Sequence, residues 1–275
     1  MTAFVRPAVM GVLNVTPDSF SDGGEFLDPA AAVAHAERMA AEGADLVDVG
    51  GESTRPGAEP VRADEELRRV MPVIEQLGQR GTVPLSIDTS KAVVARAATD
   101  AGAVLVNDVT ALRGDAGMAA AVAESGAEVC LMHMLGEPRT MQDDPRYEDV
   151  VSEVKAFLEE RLGFAVAHGI PEERVWLDPG IGFGKTLEHN LALLRRLGEI
   201  AAVGRPVIVG VSRKRFIGSL TGRAEPDRVA GGVAANVLAF QRGAHMFRVH
   251  DVAKTRDALA VAAATVGDAA ASDRE

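Results

Sequence analysis

The stretch PLSIDTSKAVVARAATDAGAVLVND, residues 84–108, decides how the rest of the chain is read. A short β-prone run, Pro84 to Ile87, ends at the polar Asp88. An Ala-rich helical pattern follows from Lys91 to Ala101, and a second apolar run spans Val104 to Val106 before Asn107 and Asp108. Run, polar turn, helix and run make a βαβ unit, whose two strands lie parallel. The same alternation extends in both directions, with apolar runs at Ala8 to Leu13, Leu46 to Val49, Val129 to Met132, Val175 to Leu177, Val207 to Val211 and Met246 to Val249. Helical patterns separate them at Pro29 to Ala41, Asp64 to Gln79, Ala116 to Glu124, Asp149 to His168, Leu187 to Leu197, Asp227 to Arg242 and Val252 to Thr265. Eight strands and eight helices predict an α/β fold, a (β/α)8 TIM barrel, as a single domain over residues 1–266, followed by a small, polar, disordered tail at 267–275. A doubly wound open sheet is the competing arrangement, but the Gly-x-Gly-x-x-Gly turn that would favour it is missing.

Composition narrows the function classes. The 275 residues carry 29 basic and 40 acidic side chains, a net charge of −11, which argues against non-specific nucleic-acid binding because that needs a cationic surface, and leaves room for a local anion site. The lone cysteine, Cys130, sits in an apolar run and excludes an intrachain disulfide or a cysteine zinc site. No apolar run approaches the roughly 18 residues of a membrane span, and Arg6 and Pro7 interrupt the start without a cleavage site. A soluble cytoplasmic protein is expected.

Polar residues recur where the apolar runs end: Asn14, Asp48, Asp88, Asn107 with Asp108, His133, Asp178, Ser212 with Arg213 and Lys214, and Arg248 with His250 and Asp251. In a barrel these ends share the face that carries the active site. Any single Asp there is a common turn former or helix cap, so the argument lies in their common position. Asp88, Asn107 and Asp178 suit the edge of a flat nitrogen heterocycle, since carboxylates accept from ring N–H groups and the amide both donates and accepts. Arg213, Lys214, Arg248 and His250 cluster on the last two strands, the quarter of a barrel where phosphate sites form. A ligand with a heterocycle at one end and a phosphate at the other follows.

Asp178-Pro-Gly-Ile-Gly-Phe-Gly-Lys-Thr186 imitates a P-loop but has Pro179 where that motif needs glycine; it reads as a glycine-rich turn passing beneath a planar ligand, with Phe183 lining it. His133 reads equally well as a satisfied core histidine or as a ligand contact. The other histidines lack metal-ligand spacing, so no zinc site is expected. Mg²⁺ is compatible, because it keeps most of its waters and needs one or two protein oxygens plus phosphate, and Asn14 can supply one. Two long polar loops, Asn14 to Gly24 and Gly50 to Ala58, have the length and glycines to close over a ligand.

Several motifs taken in order, Met10-Gly-Val-Leu-Asn-Val-Thr-Pro-Asp-Ser-Phe-Ser-Asp-Gly-Gly24, Asp48-Val-Gly-Gly-Glu-Ser-Thr-Arg-Pro-Gly57, Ser86-Ile-Asp-Thr89, Asp178-Pro-Gly-Ile-Gly-Phe-Gly184, Ser212-Arg-Lys-Arg-Phe216 and Arg248-Val-His-Asp251, resemble the dihydropteroate synthases of the folate pathway from about Val9 to Ala262. That resemblance implies a homodimeric, Mg²⁺-dependent TIM barrel that condenses 6-hydroxymethyl-7,8-dihydropterin diphosphate with p-aminobenzoate, and that is the target of sulfonamides. It implies that Asp88, Asn107, Asp178 and Lys214 hold the pterin in a pocket shaped by Met132, Phe183 and Gly210. Arg248 and His250, with Asn14 through Mg²⁺, hold the diphosphate. Phe20, Thr54, Arg55, Pro56, Ser212 and Lys214 surround p-aminobenzoate. Loss of diphosphate leaves a pterin-stabilised cation, for which Asp18 is the candidate stabiliser beside the catalytic Lys214, Arg248 and His250. Thr110-Ala111 stands where the family more often has Ser-Gly, and Leu135 where it often has Gln. No insertion interrupts Phe20 to Pro56, so sulfonamide sensitivity is expected. A pterin-dependent methyltransferase and a non-catalytic pterin-binding paralogue are the alternatives. The charge-poor stretch Val229 to Phe240 is the expected dimer contact.

Overall fold

The computed structural model describes residues 6–16, 28–54 and 57–266. Eight parallel strands, β1 Ala8–Asn14, β2 Leu46–Gly50, β3 Leu85–Asp88, β4 Ala103–Asp108, β5 Glu128–Met132, β6 Val175–Asp178, β7 Ile208–Val209 and β8 Met246–Val249, run in the order β6-β5-β4-β3-β2-β1-β8-β7. The ring closes between β6 and β7 through a single parallel bridge, Leu177 to Val207, with Leu177 N–H donating to the Pro206 carbonyl at 3.0 Å. Around it lie α1 Pro29–Ala41, α2 Ala63–Arg80, α3 Ala92–Asp100, α4 Met118–Ser125, α5 Val150–Ala167, α6 Leu187–Arg195, α7 Leu197–Ala201, α8 Arg215–Thr221, α9 Val229–Phe240 and α10 Val252–Val266. The expected (β/α)8 barrel is present.

Three expectations need correction. The helical pattern Leu187 to Leu197 breaks at Arg196 into α6 and α7, and Asp227 to Arg242 starts as a 3₁₀ turn, Glu225–Arg228, before α9. Strand β7 holds only two residues of Val207 to Val211, because the backbone beyond Gly210 leaves the ladder for a turn in which Arg213 adopts φ +58°. A short helix, α8, follows that turn where none was expected.

Alternation along the strands builds two cores. One set of side chains faces outward and packs Val9, Val47, Val49, Ile87, Val106, Val129, Leu131, Val209 and Phe247 against the helices. The other fills the barrel with Ala8, Met10, Leu46, Leu105, Cys130, Trp176, Ile208 and Met246. Cys130 is fully buried in that plug, and burial raises its thiol well above the ordinary pKa, so it is packing. Two residues further along, the inward positions become Val12, Asp48, Asp88, Asn107, Met132, Asp178, Gly210 and Arg248: the plug ends and a polar layer begins. Beyond β4, Ala111 and Leu112 sit at φ +53° and +63°. Both take a left-handed backbone that favours glycine and strains a side chain. Among the described residues no helix is long and apolar enough to cross a membrane.

Candidate active site

A cleft, partly open to solvent, lies above the plug at the C-terminal ends of the strands. Val12, Thr54, Asp88, Asn107, Val109, Met132, Asp178, Phe183, Gly210, Ser212, Lys214, Arg248 and His250 line it. Of the residues expected at the site, these include the whole pterin set, Arg248 and His250 but not Asn14 of the diphosphate set, and Thr54, Ser212 and Lys214 of the p-aminobenzoate set. Asp18, Phe20, Arg55 and Pro56 lie outside the described residues, as does the tail 267–275.

The polar layer is held by ion pairs that span the barrel. Arg248 donates from Nε to Asp48 Oδ2 at 2.6 Å and from Nη2 to Asp88 Oδ2 at 2.7 Å, while Asn107 Nδ2 donates to Asp48 Oδ2 at 3.0 Å. Asp48 is fully buried, and its Oδ1 has no partner. Sequence reading noted Asp48 as a strand end without giving it a site role; structurally it sets the pose of both Asn107 and Arg248. Burial raises the Asp88 carboxyl above the usual range, against the attraction of Arg248, with Asp48, Glu66 and Asp108 adding to the rise. Burial alone would lower the Arg248 guanidinium, but the Asp48 and Asp88 carboxylates outweigh it and the net shift is upward.

Asp178 closes β6 and accepts the Gly180 N–H at 2.7 Å; burial raises its carboxyl, opposed first by Lys214. The Lys214 ammonium donates to the Ile181 carbonyl and stands 4.6 Å from the centroid of the Phe183 ring. Burial and the Arg248 charge bring its pKa down to about 8, against the pull of Asp178. Ser212 Oγ lies 3.0 Å from His250 Nδ1 and accepts the His250 backbone N–H at 3.2 Å, so β7 and β8 end in one joined pair.

The glycines of the Asp178–Gly184 turn are required where they stand. Gly180 has φ +65°, and a Cβ there would lie 1.8 Å from the His133 carbonyl oxygen; at Gly184, φ +60°, it would lie 2.6 Å from that of Leu135. No side chain fits at either position.

Other strand-end residues turn away from the cleft. Asp108 accepts from Thr110 N, Thr110 Oγ1 and Leu112 N at 2.6–2.8 Å, which makes it a turn former. Arg213 forms a two-pronged pair with Asp251 at 2.9 and 3.0 Å and is not among the residues lining the cleft. His133 is a satisfied buried histidine: its ring packs edge-on to Phe157 at 4.8 Å and its Nδ1 takes the Lys185 ammonium at 2.9 Å. Burial and the Lys185 charge hold its pKa down to about 3. Val12 and Val109 line the cleft and were not anticipated; their places two residues from Asn14 and Asn107 were the available signal.

No group of three or more His, Cys, Asp or Glu side chains suited to a metal ion occurs among the described residues. Asn14 Oδ1 and Asp88 Oδ2 both lie within 3.8 Å of the place a Cβ on Gly50 would take, and Asp88 Oδ2 already accepts from Arg248. The neutral amide oxygen of Asn14 is a donor that fits a mostly hydrated Mg²⁺ and not zinc.

Residues 10–250 match the family model described as pterin binding enzyme. The chain is 49% identical over 261 residues to the dihydropteroate synthase of Escherichia coli (strain K12), covering 95% of this chain and 92% of that one. Its fold superposes on Xanthomonas albilineans dihydropteroate synthase with 4-aminobenzoic acid at a TM-score of 0.90, with 55% identity and 95% and 93% coverage of the two chains. The same enzyme in complex with 7,8-dihydropteroate gives a TM-score of 0.86 and 52% identity, covering 95% and 94%. The Yersinia pestis dihydropteroate synthase with a sulfonamide drug complex gives 0.91 and 48%, with 95% of each chain covered. Barrel, polar layer and these likenesses converge, and the chain belongs to the dihydropteroate synthases within the family of pterin-binding enzymes.

Proposed function

We propose that the cleft binds a 6-hydroxymethyl-7,8-dihydropterin diphosphate and p-aminobenzoate and joins them as 7,8-dihydropteroate, releasing diphosphate. The observation that carries this reading is a single cleft lined by buried Asp88, Asn107 and Asp178, by Met132 and Phe183, and by Lys214, Arg248 and His250. A pterin presents ring N–H and amino donors along one edge, which buried carboxylates and an amide recognise. Relatives of this fold bound to 4-aminobenzoic acid, dihydropteroate and a sulfonamide support the same ligand classes here.

In this reading Asp88, Asn107 and Asp178 hold the pterin edge and Met132, Phe183 and Gly210 its faces. Two of the five N–H donors of Arg248 go to Asp48 and Asp88, leaving the others for phosphate oxygens beside His250. Asn14 with the diphosphate would hold Mg²⁺, which when bound neutralises charge on the leaving group. The methylene–oxygen bond breaks with its electron pair leaving on diphosphate, and the pterin ring delocalises the cation. The amine lone pair of p-aminobenzoate then forms the C–N bond and the nitrogen loses a proton. Asp18 is assigned to stabilise the cation, and Phe20, Thr54, Arg55, Pro56, Ser212 and Lys214 to seat the arylamine. A homodimer using α9, where Leu238 is 45% exposed, and a cytoplasmic location complete the proposal.

The test mixes protein, Mg²⁺ and both substrates and follows dihydropteroate and diphosphate together. Equal amounts of the two are expected, blocked by a sulfonamide, lost on chelation and restored by Mg²⁺; Lys214→Ala should cost at least about a hundredfold in rate. Pterin binding with no product would overturn the synthase reading.

A further inference from the structure

Four successive carbonyls along the Asp178–Gly184 turn are each taken by a different side chain. Ile181 accepts from Lys214, Gly182 from Gln142 Nε2 at 2.7 Å, Phe183 from Lys185 Nζ at 2.9 Å and Gly184 from Tyr147 Oη at 2.9 Å. From the other side, Asn190 Oδ1 accepts the Gly182 N–H at 2.6 Å. Lys214 belongs to the cleft; Gln142, Lys185 and Tyr147 have no part in the site derived so far.

Lys185 stands out among them. It is only 3% exposed, and its three acceptors are all neutral: the Phe183 carbonyl, His133 Nδ1 at 2.9 Å and the His133 carbonyl at 3.4 Å. A buried amine without a carboxylate in its hydrogen bonds is expensive to keep charged, and burial pushes the Lys185 pKa well below the ordinary value; an apolar side chain of the same length would be cheaper for the fold alone. The two segments it joins explain its presence. His133 directly follows Met132, and both Met132 and Phe183 line the cleft. One side chain thus ties together the backbone at two apolar lining residues, Met132 and Phe183, which belong to one packed group. Tyr147 reinforces the tie, with its ring 6.0 Å from that of His133 and its hydroxyl on the next carbonyl of the turn.

We propose that Lys185 is a positioning residue that fixes how Met132 and Phe183 sit relative to one another and so selects a flat bicyclic ring. This rests on the pterin reading above. Small misplacements of binding groups carry large penalties, so Lys185→Met should weaken binding of a pterin lacking the diphosphate, measured calorimetrically, by about tenfold or more. The KM for the pterin diphosphate should rise in parallel, while the KM for p-aminobenzoate stays within about threefold, a split that general loss of structure does not produce. Tyr147→Phe removes one hydroxyl and should weaken the pterin in the same direction by about threefold, which keeps the test open should Lys185→Met fail to fold. Unchanged pterin affinity in Tyr147→Phe, or in a folded Lys185→Met, overturns the proposal, as does equal loss toward both substrates. If the unsubstituted protein binds no pterin, the functional reading itself falls; if it binds pterin and makes product while either variant matches it, only the role of Lys185 does.

Discussion

The floor of the cleft and its charged wall are built on opposite principles. In the floor, the Asp178–Gly184 turn, each carbonyl from Ile181 to Gly184 meets a donor, and glycines stand where the neighbouring carbonyls leave no room for a Cβ. In the wall, Arg248 reaches Asp48 and Asp88 across 200 and 160 residues of sequence, and carboxylates and cations hold one another. From Ile181 to Gly184 the floor is built of carbonyls and glycines, so what it offers a ligand is chiefly its shape. A wall made of ion pairs titrates, and it can exchange an internal partner for a substrate group. A site that binds a flat ring beside a leaving group bearing charge needs both.

The largest effect should come from breaking the wall. Arg248→Met strands two buried carboxylates and should cost about 3–5 kcal/mol in urea unfolding, together with nearly all turnover. Adding Asp48→Asn should return part of the stability and none of the activity. A singly substituted protein as stable as the parent would show that the wall is not held by charge. An intermediate effect should follow in the floor: Gly184→Ala places a methyl 2.6 Å from the Leu135 carbonyl at φ +60° and should cost about 1–3 kcal/mol, equally at pH 6 and pH 9. A pH-dependent cost there would dissolve the distinction between the two regions. The smallest effect near neutrality is titration of Lys214, whose pKa is lowered to about 8. Turnover per substrate should fall as pH rises through about 8 and the ammonium is lost. Its contribution to stability runs the other way. Between about 8 and about 10.5 the unfolded chain keeps a proton that the folded chain has released, so that contribution increases with pH and should be absent in Lys214→Met. A pH–rate profile flat to pH 10 would remove Lys214 from the working wall.

Much of the site was legible because the strands alternate strictly. The inward side chains Leu46, Leu105, Trp176 and Met246 give way two residues later to Asp48, Asn107, Asp178 and Arg248, and the abrupt change from apolar to polar is visible without coordinates. The inner face was harder to tell from the outer. Parallel strands are covered on both sides, so Asn107 and Asp108, or Met132 and His133, look alike in the sequence although one of each pair faces the cleft and the other the helices. For Asp108 and His133 this was the difference between a ligand contact and a turn or packing role. Lys185 was read only as the end of a false P-loop, because its partners, His133 and Phe183, meet only when β5 and β6 lie side by side.

By itself the sequence determined the barrel, the rim where its polar groups collect and the kind of ligand those groups suit, since strand period, helix period and turn chemistry are local properties of the chain. Tertiary structure alone decided which polar residue faces the ligand, that Asp48 joins Asn107 to Arg248, and that a buried lysine braces the floor. Those contacts span up to 200 residues and form only when closure of the ring fixes the parity of every strand at once.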